Sequence, residues 1–74
     1  MFYVYSVELL DTKDHVYLEY ALFADSMQSA IECAKEKAYN MISENKIVIR
    51  YVSVYDGNEQ YVYNVLTKKL EKWC

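Results

Sequence analysis

Only one stretch of this 74-residue chain repeats with a helical period, and every other apolar run alternates. Within Ser26–Ile42 (SMQSAIECAKEKAYNMI), Met27, Ala30, Ile31, Ala34, Ala38, Met41 and Ile42 fall on one stripe of an α-helix. Gln28, Glu32, Lys35, Glu36 and Asn40 take the other side. Ser26 is the natural N-cap, its hydroxyl accepting from a free backbone N–H of the first turn, and Asp25 with Gln28 offers an alternative capping box. Alanine in the middle of the stripe lets the helix lie close against a flat surface. That suits packing on a sheet better than a coiled coil, whose seam needs larger knobs. Glu32 and Lys35 are spaced to pair across one turn on the solvent side.

The runs on either side have the composition of strands. Phe2–Leu10 (FYVYSVELL) is rich in β-branched and aromatic residues, with Tyr3, Tyr5, Val7 and Leu9 on one face and Phe2, Val4, Ser6 and Glu8 on the other. Asp11-Thr12-Lys13-Asp14 is a turn cluster, and Val16–Ala24 (VYLEYALFA) returns as the second strand of an antiparallel hairpin. That strand sets Val16, Leu18, Tyr20, Leu22 and Ala24 opposite Tyr17, Glu19, Ala21 and Phe23. After the helix, Asn45 is the expected left-handed terminator, in the absence of a glycine. Ile47–Tyr55 is the strongest strand signal, Asp56-Gly57 a hairpin turn, and Gln60–Thr67 the returning strand, with Tyr61, Tyr63 and Val65 on one face. Thr67-Lys68-Lys69 turns again into a short last strand, Leu70–Trp73. The fold class is therefore α+β, in the order β-β-α-β-β-β, an antiparallel sheet with one helix on one face. Residues 1–74 read as one domain, without linker, repeat or proline.

A chain this short buries only about 60–65% of its unfolded surface, and domains of this size often gain stability from an oligomer, a metal or disulfides. The two cysteines offer at most one bridge; Cys33 lies inside the helix and Cys74 is the last residue, so a reduced, cytoplasmic protein is expected. Met1 leads straight into a strand pattern without a basic signal region, and no apolar run is long enough to span a bilayer. The net charge is −3. Residues 1–37 hold seven acids and three bases; residues 38–74 hold four acids and five bases. That balance argues against general nucleic-acid binding and leaves a local phosphate contact to Lys68, Lys69 and Lys72.

Catalytic and metal chemistry find little to work with. His15, the single histidine, sits in a turn beside Asp11 and Asp14, with no Cys or His spacing to complete a coordination shell. Glu8 and Glu19 are placed to be cross-strand neighbours in the first hairpin, but no base or cofactor loop accompanies them. Cys33 lacks a nearby base, and a chain with one glycine has no phosphate-cradling loop. No enzyme, cofactor or metal is expected.

Nine tyrosines, with Trp73, Phe2 and Phe23, are the anomaly, and they fall on both faces of the predicted strands. Such side chains bury large areas at little rotamer cost and keep a polar handle, so they suit interfaces. Five strands make a sheet about 20 Å wide, whereas one helix is about 10 Å across. Tyr17, Phe23 and several of Phe2, Val4, Tyr51 and Tyr55 are left for the far face, and an apolar patch of that kind implies a partner. The expected anchors are Tyr17, Tyr51, Tyr55, Tyr61 and Tyr63, with Glu8, Glu19, Lys68 and Lys69 at the rim.

The layout resembles the very small proteins of phages and mobile elements, in particular a type I-F anti-CRISPR with a hairpin, one helix and a further antiparallel meander. The residues that carry the likeness are Ala24-x-Ser26 opening the helix, Ala30 and Ala34 on its inner side, the strand-turn-strand around Gly57, and the closing Trp73-Cys74. The resemblance implies a non-enzymatic, stoichiometric inhibitor in the host bacterial cytoplasm that occupies a surface of a CRISPR effector complex. It carries over no interface residues, because Glu32 and Glu36 offset Lys35 and Lys37 on this helix. The alternative is a homodimeric structural or regulatory module whose sheet faces pair with each other.

Overall fold

The computed structural model describes Met1–Lys13 and His15–Trp73. Asp14 of the first turn cluster and Cys74 of the closing pair lie outside the described residues. Six elements follow one another: β1 Tyr3–Leu10, β2 Val16–Ala24, α1 Met27–Asn45, β3 Tyr51–Tyr55, β4 Gln60–Asn64 and β5 Lys69–Lys72. The strands form one antiparallel sheet in the order β2-β1-β3-β4-β5. The fold is thus α+β with the helix packed on one face, as the sequence pattern predicts.

The helix begins where expected. Ser26 is the cap, its hydroxyl accepting from the Ser29 N–H at 3.1 Å, and the Asp25 alternative is not used. Ala30, Ala34 and Ala38 are fully buried, so the helix backbone approaches the sheet closely over β1, β2 and β3. Glu32 and Lys35 meet at 3.5 Å on the outer side. The end differs from expectation. Ser43, Glu44 and Asn45 remain helical and Lys46 takes the left-handed position (φ 54°), its N–H donating to the Ile42 carbonyl at 3.0 Å.

The core lies between the two layers. Val7, Leu9, Val52 and Val54 line its sheet side, and Tyr5, Ile31 and Tyr63 belong to the same buried cluster. Ile47–Arg50, expected as the start of β3, precedes the regular strand, and only Arg50 reaches the sheet, its N–H donating to the Leu10 carbonyl and its carbonyl accepting from the Val65 N–H, both at 2.8 Å. The chain must descend there from the helix layer to the sheet plane. Ile49 turns into the core, at 1% exposure, while Val48 faces solvent. Alternation survives in this segment, and backbone bonding to the sheet begins only at Arg50.

Without proline, the chain builds its turns from Asp and Asn side chains that accept from backbone N–H groups just downstream. Asp11 accepts from Lys13 and His15 at 2.8 and 3.0 Å, and Asp56 from Asn58 and Glu59 at 2.8 and 2.7 Å. Asn64 accepts from Leu66 and Thr67 at 2.9 and 3.1 Å. These bonds hold the Asp11 and Asp56 carboxyls below the ordinary carboxylate range. Gly57, at φ 103°, supplies the backbone that the β3–β4 turn demands. The Asn64 turn explains why β4 stops at Asn64 rather than Thr67, and why β5 starts one residue early, at Lys69. Among the described residues no helix is long and apolar enough to cross a membrane.

Candidate functional site: the open face of the sheet

Cross-strand register sorts every strand residue to one face. The helix side takes Tyr5, Val7 and Leu9 of β1, with their partners Leu22, Tyr20 and Leu18 of β2. On β3 and β4 it takes Val52 and Val54 with Tyr63 and Tyr61. The open side takes Val4, Ser6, Glu8 and Leu10, opposite Phe23, Ala21 and Glu19 on one flank and Tyr55, Ser53 and Tyr51 on the other. It continues through Gln60, Val62 and Asn64 to Glu71 and Lys69.

Of the predicted site residues, the structure brings Glu8, Glu19, Tyr51 and Tyr55 together on this face. Glu8 and Glu19 are direct cross-strand partners, and Ser53 is Glu8's neighbour on the other side. Two ion pairs occur among the described residues, Glu32–Lys35 and Lys72–Glu59, so neither Glu8 nor Glu19 has a basic counterpart there. Lys69 joins the open face at its far edge, and Lys68 is exposed in the preceding turn with φ 61°. Lys72 lies on the helix side and bonds Glu59 at 3.0 Å, which raises its pKa.

Tyr61 and Tyr63, expected beside Tyr51 and Tyr55, stand on the helix side instead. Their partners Val54 and Val52 are core residues, and Tyr63 is 5% exposed with its hydroxyl 2.9 Å from that of Tyr39. Tyr63 is a packing residue, which removes it from the anchor set. The first hairpin holds a second correction. Its register slips by one between Leu9 and Leu10, so Val16 pairs with Leu10 and shares the open face rather than the helix face. Tyr17 sits at that slip, 48% exposed.

Trp73, counted among the aromatics in the sequence, is not among the expected anchors. It follows Lys69 and Glu71 in strict alternation, and that period puts it on the open side. Its backbone N–H donates to the Gln60 backbone carbonyl at 2.7 Å. With Glu8, Leu10, Tyr51, Ser53, Gln60 and Val62 it lines a cavity of about 400 Å³. The floor is sealed: Val62 and Ser53 are 5% and 4% exposed, and the Gln60 side-chain amide donates to the Ser53 hydroxyl at 2.8 Å. Among the described residues Glu8 brings the one carboxylate to this cavity, and the wall beside it, Tyr51 and Trp73, is aromatic. A second hollow, lined by Ser6, Glu8, Glu19, Tyr55 and Gln60, shares Glu8 and Gln60 with the first. The first hollow is a trough across β1, β3 and β4 with Tyr51 and Trp73 at its end, and the second, which holds the Glu8–Glu19 pair, adjoins it at Glu8 and Gln60.

No protein-family model, curated protein or solved structure matches the chain.

The trough can hold an apolar or aromatic group and attract a cation. His15 is exposed at the β1–β2 turn and Cys33 is exposed on the helix, and neither lines the trough. Among the described residues no three His, Cys, Asp or Glu side chains cluster as a metal site. At the other end of the face, Val4 and Phe23 pair across β1 and β2 at 55% and 67% exposure.

Proposed function

We propose that this chain is a non-enzymatic binding protein that inhibits a larger partner by occupying its surface with the open face of the sheet. The observation that carries the reading is the Glu8–Glu19 pair. Like charges directly opposite on a sheet are destabilising, and here they are left without a base beside an aromatic-walled trough. A partner that inserts a lysine or arginine between them would relieve the repulsion and stack its stem on Tyr51, Tyr55 or Trp73. Protein surfaces that bind nucleic acid are lined with such residues. A host nucleoprotein defence complex of the CRISPR type, the target that the family resemblance implies, therefore suits this face. Direct binding of nucleic acid suits it poorly, since Glu8, Glu19 and Glu71 would all face phosphate.

The test is phage challenge of a bacterium carrying a type I-F CRISPR system, with and without this chain expressed. Restored plaques with the wild type, lost with Glu8→Lys and reduced with Tyr55→Ala, support the reading. Absence of restoration by the folded wild type rejects this target, and restoration unaltered by either variant rejects this face.

A further inference from the structure

The two edges of the sheet are built differently. β5 is four residues long and carries Lys69, Glu71 and Lys72, the shortness and charge by which natural sheets keep an edge from pairing. β2 is nine residues long, holds no proline or lysine, and carries one charge, Glu19.

Which backbone groups of β2 face outward follows from the ladder. The Asp56 N–H donates to the Glu59 carbonyl and the Val65 N–H to the Arg50 carbonyl, while just ahead of β3 the Arg50 N–H turns to the Leu10 carbonyl. In an antiparallel sheet the bonding direction alternates, so even-numbered residues of β3 bond towards β4 and odd-numbered ones towards β1. Carried through the Glu8–Ser53 and Val7–Tyr20 pairs, this turns Leu18, Tyr20 and Leu22 of β2 inward to β1. The N–H and C=O groups of Glu19, Ala21 and Phe23 then point away from the sheet. All three residues are exposed, and no strand among the described residues lies beyond them.

We infer that this edge pairs with the same edge of a second copy, antiparallel about a two-fold axis at Ala21, to form one continuous ten-stranded sheet. The register slip at Tyr17 ends the regular run, leaving Leu18–Ala24 with Ala21 at its middle. An axis there opposes Glu19 to the partner's Phe23 and Tyr20 to the partner's Leu22, and it satisfies all three outward residues. It also holds the two Glu19 carboxylates about 13 Å apart along the strands, more than a Debye length in ordinary salt. An axis at Glu19 would bring them face to face, and one at Tyr20 would halve the separation. Charge thus selects the register. The interface lies at the small end of specific contacts, below about 1,200 Å² in total, where associations are weak and transient. This edge is distinct from the trough, and the inference stands apart from the proposed inhibition.

Sedimentation equilibrium of the full chain from about 5 to about 500 µM, with NMR amide exchange at both ends of the range, tests it. The expected result is a dimer at high concentration in which the Glu19, Ala21 and Phe23 amides become protected, while those of Tyr20 and Leu22 are protected throughout. Ala21→Pro removes an outward N–H and should leave a folded monomer. Ala21→Lys should do the same through like charge on the axis, and serves if the proline variant fails to fold. A monomer at the highest concentration would overturn the inference. So would a dimer whose three outward amides still exchange freely, or one that a folded Ala21→Lys variant preserves.

Discussion

The hydroxyl groups of Tyr39 on the helix and Tyr63 on β4 lie 2.9 Å apart, and Lys35 Nζ stands 4.5 Å from the Tyr63 ring centre. The helix packs on β1, β2 and β3, so these longer side chains tie it to the fourth strand. Tyr63→Phe keeps the ring and removes the bond. It is expected to lower unfolding free energy by about 1 kcal/mol. Tyr39→Phe should cost a similar amount and the double variant little more, a non-additivity that urea denaturation of the four proteins measures.

Both extremes of pH should weaken the fold. Burial first, and then the Tyr39 hydroxyl, push the Tyr63 pKa from 10.0 up to about 12, and burial also raises Tyr20. A raised folded pKa gives stability that is complete below pH 10 and declines as pH climbs towards 12. Asp11 and Asp56 run the other way. Their depressed pKa values give stability present above the ordinary value of 3.8 and lost as pH falls below it. Melting temperature against pH should fall at both ends, with Tyr63→Phe flattening only the alkaline limb.

Neighbouring helix positions should respond oppositely to substitution. Ala34 is fully buried against the sheet, whereas Cys33 is exposed. Ala34→Leu forces extra volume between closely packed layers and is expected to cost about 1–3 kcal/mol. Cys33→Ser should change stability by less than about 0.5 kcal/mol. Chemical denaturation of the two variants makes the comparison directly.

Glu8→Gln removes one charge of the cross-strand pair on the open face. It should raise stability by about 0.2–1 kcal/mol, with the gain shrinking as salt screens the repulsion. Under the proposed function the same change weakens partner capture. Calorimetry at low and high salt, beside the phage assay, would reveal a stability gain coupled to a loss of function.

The local chemistry was legible in the chain. The alanine-centred stripe predicts a helix lying close to a sheet, Ser26 predicts its cap, and alternation predicts the faces of β1. Each depends on residues within a few positions of one another, where period and capping act directly. The errors arise where distant contacts decide. Ile47–Arg50 has strand composition, yet the drop from helix to sheet uses Ile49 as a core plug. Tyr61 and Tyr63 alternate as well as any strand residues, but only pairing with Val54 and Val52 assigns them to the helix side. A one-residue slip moves Val16 to the opposite face, and no local pattern announces it. The sequence by itself determined the elements and their apolar stripes, because those follow from backbone periodicity and side-chain type. Only the tertiary structure decided register, which face the helix covers, and the meeting of Glu8, Tyr51 and Trp73 around one trough. Strands far apart in sequence choose partners by the total burial they achieve, and that sum exists only in the assembled sheet.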